Sequence, residues 1–462
     1  MNYDAVIAAV STPPGKGGVA IIRVSGEGAL DVASKVFVPK GKKALSEIPP
    51  RTQIFGNVIY QGEEIDDGLL CYFKAPASYT GEDTVEISCH GGTLITKTVL
   101  EALFAAGARP ALAGEFTRRA LINGKLSLTD AEAVANLLEA KTEAQIMLGA
   151  EGSRNHLSRE ISEIRESLST LLSSMWARID YPEEDLGDFS DEELSEKLLS
   201  LDGRIKILLD SYKTGRAVNE GIKTTICGKP NAGKSSLYNL ILGEDRAIVT
   251  DIPGTTRDVL SAEVALGKTL LLLSDTAGIR NKSDDKIELI GIERSKEAIK
   301  GAELIIALFD GSSEFSPEDE DIISALDATR VAKIAIINKC DLAKVFPKEK
   351  LEGRFDKILE ISALKSSAEA RALLGKEIDS LFTDEKITLG KSAVIQNARQ
   401  FSSLLRAKEF IDSAKNALAK GLTQDLASAD VEKALGEIRE LDGKRVTDEV
   451  LDKIFANFCV GK

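Results

Sequence analysis

Histidine is almost missing from this 462-residue chain. His90 and His156 are the only two, too few for a His-rich metal centre and a poor basis for a Ser-His-Asp triad. Cysteine is sparse as well. Cys71, Cys89, Cys227, Cys340 and Cys459 stand apart with no C-x-x-C pair. That odd, unpatterned set argues for a reducing compartment over a disulfide framework. No apolar run approaches the roughly 20 residues that span a bilayer. Met1–Val10 carries Asp4 and no basic flank, so no signal or transit peptide is expected and the chain reads as cytoplasmic, without a membrane. An excess of positive charge is also wanting. Lys and Arg number 59 against 73 Asp and Glu, a net charge of −14, so any polyanion partner has to find a local basic patch. What remains is 43% hydrophobic and 29% charged, ordinary for a folded chain, and long enough for about three domains.

Punctuation and periodicity divide the chain. Residues 1–118 alternate short apolar runs, such as Val19–Ile22 and Gly68–Phe73, with Gly and Pro turns, the pattern of an α+β domain. From 119 to 219 the period is helical: Leu194, Leu198, Leu201, Ile205 and Leu208 recur at steps of three or four and line one face. An acidic turn over Asp180–Asp185 interrupts this stretch and reads as a solvated connection. Residues 220–383 alternate buried-looking runs (Thr224–Cys227, Leu270–Leu273, Leu304–Phe309, Ile334–Ile337, Ile358–Ile361) with helix-length segments, the mark of a mostly parallel sheet with helices on both faces. Helical periodicity returns over 384–462, where Val394, Ala398, Phe401 and Leu405 are expected to share a stripe. Neither helical stretch has another partner for its apolar face. The expected fold is therefore multidomain: an α+β N-terminal domain, an all-α domain formed by two chain segments, and an α/β domain inserted between them.

The chemistry concentrates in the insert. Gly228-Lys229-Pro230-Asn231-Ala232-Gly233-Lys234-Ser235 matches G-x-x-x-x-G-K-[ST] between an expected strand and the helix that opens at Ser236. The glycines let successive N–H groups face a phosphate, and the helix N-terminus favours the anion. Lys234 is placed to reach the β- and γ-phosphates and Ser235 to bind Mg²⁺. Asp275-Thr276-Ala277-Gly278 follows the next strand, with Asp275 to hold Mg²⁺ through water and the Gly278 N–H to meet the γ-phosphate. Asn338-Lys339-Cys340-Asp341 follows a later one, and the Asp341 carboxylate suits guanine N1–H and the 2-amino group. Adenine would set an acceptor against it, an unmet bond worth about 1–3 kcal/mol or more. Ser362-Ala363-Leu364 can offer N–H groups to guanine O6. Four such pieces in order, each at a strand end, specify a guanine nucleotide site, a P-loop GTPase domain. Thr250-Asp251-Ile252-Pro253-Gly254-Thr255-Thr256 lies between the first two, with Thr256 assigned to sense the γ-phosphate and complete the Mg²⁺ shell. Ile279 stands where a Ras-like enzyme has its water-orienting Gln, so either hydrolysis is slow or another group acts; a carboxylate from the polar stretch Arg280–Glu288 is one candidate.

With these motifs on the page, the chain resembles the MnmE (TrmE) family of bacterial tRNA-modification GTPases over essentially its full length. The resemblance is carried by Thr12–Val19 through Arg23, Gly81-Glu82-Asp83 through Glu86, His90-Gly91-Gly92, Gly114-Glu115-Phe116 through Lys125, the phosphate loop, Gly254–Asp258, and the terminal Phe458-Cys459-Val460-Gly461-Lys462, with Val460 where the family usually has Ile. It implies a homodimer through the N-terminal domains, and G domains that pair across the dimer when GTP and K⁺ are bound. Asn231 and the Thr250, Ile252 and Thr255 oxygens would then hold K⁺, and Glu288 would orient the attacking water. It implies a flavoprotein partner, MnmG (GidA), in a heterotetrameric complex, which modifies C5 of the wobble uridine of certain tRNAs. It also implies 5-formyltetrahydrofolate or a related one-carbon folate, held by Arg23, Glu86, Lys125 and Lys462. On residue chemistry alone Asn231 is equally a turn residue, Cys459 is either a reactive thiol or a small buried side chain, and His90 is a structural histidine in a turn. The competing function is a GTP-controlled RNA-binding switch such as a ribosome-assembly GTPase, for which a basic RNA-binding appendage would be expected and is not seen.

Overall fold

The computed structural model describes residues 5–41, 43–150, 156–181, 190–243, 261–274, 301–365, 367–456 and 458–461. Its first part is built on a seven-stranded sheet. In chain order its elements are β1 (Ile7–Val10), β2 (Gly17–Ser25), α1 (Ala29–Ser34), β3 (Phe37–Pro39), β4 (Gln53–Tyr60), β5 (Glu63–Phe73), β6 (Thr84–Gly91), α2 (Thr93–Ala105) and β7 (Arg109–Pro110), with spatial order β3-β4-β5-β6-β2-β1-β7. Every pairing is antiparallel except β1 with β7. Period-two alternation explains the two faces. Ala20, Ile22 and Val24 of β2 and Val85, Ile87 and Cys89 of β6 turn inward onto Val32, Ala33, Val99 and Leu103 of α1 and α2. On the other face the register aligns Arg23, Glu86 and Cys71 in one row across β2, β6 and β5.

Helices follow: α3 (Glu115–Ile122), α4 (Leu128–Glu139), α5 (Glu143–Gly149), α6 (His156–Asp180) and α7 (Asp191–Asn219). The expected stripe on α7 is observed, since Leu194, Leu198, Leu201, Ile205 and Leu208 are all buried. Most of the acidic turn after Asp180 lies outside the described residues.

A six-stranded sheet comes next, from β8 (Ile222–Gly228), α8 (Lys234–Leu242), β9 (Ser261–Leu266), β10 (Thr269–Ser274), β11 (Leu304–Asp310), α9 (Pro317–Asp327), β12 (Ala332–Asn338), β13 (Lys357–Glu360) and α10 (Ser367–Phe382). Its order is β13-β12-β11-β8-β10-β9, parallel throughout except for β9. All five expected strands are present. The chain ends in α11 (Ala398–Ala419), α12 (Gln424–Asp442) and α13 (Asp448–Phe455). Here one expectation fails. Val394 precedes α11, and Leu405 is exposed; the buried face runs through Gln400, Ser403, Leu404, Ala407, Ile411 and Ala414. Two buried polar residues, Gln400 and Ser403, hid that face from an apolar pattern.

The chain forms two compact units. The first combines residues 1–135 with 158–198 and 409–462. Inside it Arg165 of α6 bonds Asp442 at the end of α12 at 2.5 Å, and Leu128 packs with Leu451, Phe455 and Phe458. The second combines 136–157 with 199–408. Within it Tyr212 stacks on Phe401 with centroids 4.5 Å apart, and the Ser211 hydroxyl accepts the Ile395 N–H at 3.0 Å. In each unit, helical chain from before the six-stranded sheet packs on helical chain from after it.

Candidate functional site

Four strands of the six-stranded sheet deliver their C-terminal ends to one edge. Strand order reverses at β8: β9 and β10 lie on one side, β11, β12 and β13 on the other, the topological switch point where open α/β sheets bind ligands. β8 stops at Gly228 and the chain turns through Lys229–Ala232 into α8. Asn231 takes φ 61°, and Gly233, the residue before α8, takes φ 102°. A side chain on Gly233 would also run into the Asn338 amide, so the second motif glycine is needed both for its backbone angle and for close approach. Asn231 is one of the few residue types that accept the left-handed region.

Sequence-assigned residues among those described come together here. Asn338, at the end of β12, donates from Nδ2 to the Ala232 carbonyl at 2.9 Å and accepts the Ala363 N–H on Oδ1 at 3.0 Å. One buried amide thus ties the phosphate loop to the Ser362–Leu364 loop. Lys339, at φ 62°, reaches Asp310 Oδ2 at 2.6 Å. Asp341 accepts the Ser362 hydroxyl at 2.7 Å and pairs with Lys365 at 3.2 Å. The Ser362 hydroxyl, with help from Lys365, holds the Asp341 carboxyl below its ordinary pKa. Lys234 Nζ, half-buried, donates to the Gly228 and Lys229 carbonyls at 2.7 and 2.9 Å, and burial lowers its pKa. Ser235 is exposed at the start of α8, with Ser236 beside it and Leu364 exposed on the facing loop. Cys227 below the loop is a thiol pushed up to about 12 by burial and stays protonated. Thr250, Asp251, Ile252, Pro253, Gly254, Thr255 and Thr256, together with Asp275, Thr276, Ala277, Gly278 and Glu288, lie outside the described residues.

The open face of the seven-stranded sheet gathers the second group. Arg23 donates from Nε and NH2 to Glu86 Oε1 at 3.0 and 2.9 Å. Its guanidinium lies over the rings of Tyr79 and Phe116, 5.2 and 5.7 Å from their centroids, and NH1 points at the Gly461 carbonyl at 3.5 Å. Residues 459–461 reach this place as well. Val460 bridges Ala113, the Gly114 N–H donates to the Cys459 carbonyl at 3.4 Å, and the Ser11 hydroxyl donates to the Gly461 carbonyl at 3.1 Å. Cys459 itself is exposed. Lys125 donates to the Pro76 carbonyl at 3.0 Å and does not join the Arg23–Glu86 pair; Lys462 lies outside the described residues. His90 is not in a turn. It lies within β6, one residue before its end, exposed, with Nδ1 2.6 Å from Asp66, whose hydrogen bond raises its pKa.

Several residues escaped the sequence reading. Asp310 partners Lys339 and could have been found as the acid closing an apolar run. Asp319, the partner of Lys229, could have been found as the acid at the third helical position of a Ser316-x-x-Asp319 capping box. The buried network Arg109–Glu115–Arg119–Glu82 beneath the N-terminal sheet, whose members lie up to 37 positions apart, was missed as well.

A sheet of this order, with a lysine-bearing phosphate loop tied by Asn338 to the loop after β13, is the architecture of the P-loop GTPases. Comparison with known proteins narrows the class. Residues 6–125 match the family described as "GTP-binding protein TrmE N-terminus", and residues 128–459 match "MnmE helical domain". The tRNA modification GTPase MnmE of Clostridioides difficile (strain 630) is 41% identical over 464 residues, covering 100% of both chains. Those of Caldicellulosiruptor saccharolyticus and Thermotoga maritima are 39% and 38% identical, covering 100% and 99% of both chains. The chain belongs to the MnmE family of tRNA modification GTPases.

Proposed function

We propose that the protein hydrolyses GTP to drive C5 modification (carboxymethylaminomethyl or aminomethyl addition) of the wobble uridine of tRNA, in the cytoplasm, as a homodimer working with the flavoprotein MnmG. The observation that carries the nucleotide half is Asn338, whose two bonds lock phosphate loop and base loop into one edge. In this reading residues 220–383 are the G domain, 119–219 and 384–462 the two parts of the helical domain, and 1–118 the folate-binding and dimerisation domain.

The residues present suit the groups they would hold. A left-handed Gly233 pressed against the Asn338 amide leaves the loop with backbone N–H groups and no side chain in the cradle. Ser235 and Thr256 would hold Mg²⁺, with Asp275 contributing through water, and Asn231, Thr250, Ile252 and Thr255 would hold K⁺; the cations supply positive charge that stabilises phosphoryl transfer. Lys234 binds the β- and γ-phosphates, Asp341 and the Ser362–Leu364 loop orient the base, and Glu288 orients the water that Ile279 cannot. On the N-terminal sheet, Arg23 engages only Oε1 of Glu86. Oε2 remains to accept the donor edge of a pterin, while Arg23, Lys125 and Lys462 suit the carboxylates of a folate tail. The folate supplies the one-carbon unit.

The test is nucleoside analysis of tRNA from cells lacking this protein. C5-modified wobble uridines should disappear and return on complementation; unchanged wobble uridines would remove the modification role.

A further inference from the structure

We propose that Lys229 is a positioning residue of the phosphate loop, clamped by Asp319, and that this clamp sets affinity for the guanine nucleotide. The inference rests on the nucleotide reading above. The motif leaves the Lys229 position open, and a lysine there would ordinarily trail into solvent. Here its side chain is 12% exposed and that of Asp319 0% exposed. The ammonium donates to Asp319 Oδ2 at 2.8 Å, Ser313 Oγ at 3.2 Å and Ser316 Oγ at 3.4 Å, three acceptors for three donors.

Asp319 is itself held. It lies in the first turn of α9, and its Oδ2 also takes the Ser316 N–H at 3.0 Å and hydroxyl at 2.8 Å. Its Oδ1 is buried with no hydrogen-bond partner among the described residues. The Oδ2 bonds make Asp319 the capping-box acid of α9 as well as the anchor of Lys229. The anchor acts on the loop. The Lys229 carbonyl accepts Lys234 Nζ at 2.9 Å and the Ala232 N–H at 3.4 Å. Fixing the far end of the Lys229 side chain on α9 therefore fixes the main-chain oxygen from which Lys234 and the Ala232 amide take their positions. The clamp also spends the Lys229 charge on Asp319, which leaves Lys234 as the cation the loop presents. A loop ordered beforehand binds an anion with less loss of freedom.

The measurements are GDP titration by calorimetry, steady-state GTP turnover and thermal unfolding on the full chain, for the parent, Lys229→Met, Lys229→Arg, Asp319→Asn and the double variant Lys229→Met/Asp319→Asn. Lys229→Met and Asp319→Asn should each weaken GDP binding by about tenfold, raising KM more than they lower kcat. The double variant should bind no more weakly than either single one, because one interaction is lost in all three. Lys229→Arg, which keeps the ion pair, should restore affinity to within about twofold. Parental affinity in a folded Lys229→Met or Asp319→Asn, tighter binding in Asp319→Asn, or additive losses in the double variant would each overturn the clamp. A parent protein that binds no GDP would instead remove the nucleotide reading beneath it.

Discussion

Glu115 shows how much a single buried carboxylate can govern. Its side chain is 1% exposed, between Arg109 and Arg119. Burial pushes its pKa up, but hydrogen bonds from Arg109, the Leu112 N–H and Arg119 outweigh that and leave it below the ordinary 4.5. A carboxyl depressed in the folded state adds stability that is complete above pH 4.5 and lost as pH falls through the lower folded value. Glu115→Gln removes the anion between Arg109 and Arg119, of which Arg119 keeps Glu82 and the Ala5 carbonyl, and should cost about 1–3 kcal/mol at pH 7. In urea titrations the gap from the parent should narrow below about pH 4; a gap constant with pH would show that the charge of Glu115 is not what matters. The Glu115–Arg119 pair sits at i,i+4 and was there to be read; the link from Arg119 to Glu82, 37 positions away, leaves no local pattern. The left-handed turn at Asn231 was legible, since it is written in a short motif.

Strands and helices were easier to read than the contacts between them. Apolar runs of four to six residues marked every parallel strand of the second sheet, and five leucines and isoleucines marked the buried face of α7. α11 misled because it buries Gln400 and Ser403, polar residues that apolar periodicity passes over. Gly92, Gly114 and Gly233 all precede helices, but Gly233 is the one pressed on an amide from another strand end. Gly233→Ala places a methyl group against Asn338 at a φ of 102°. Separation of the phosphate loop from β12 follows, and with it loss of at least about a hundredfold in GDP affinity, the order expected when backbone strain of 1–3 kcal/mol adds to a broken buried bond. Calorimetry checks this, and affinity within a few-fold of the parent would mean that the loop yields without cost.

For the chain taken entire, the proposed K⁺ site makes the sharpest demand. GTP turnover should be at least about tenfold faster in K⁺ than in Na⁺ at equal ionic strength, the rate expected when one charge contact to the transition state, worth about 1.4 kcal/mol, is gained. Equal rates would remove the monovalent-ion assignment and return the question of what replaces the missing Gln. The insertion was legible from the return of helical period after residue 384. The division of the helical chain between two compact units was not, because it depends on which distant segments meet. That meeting has a temporal cost. Arg165 of α6 bonds Asp442, 277 positions further on. At about 5–20 residues per second, a ribosome takes roughly a quarter of a minute to a minute to make the intervening chain. Throughout that interval the nascent polypeptide carries the apolar face of α6 before the α12 segment that meets it has been translated.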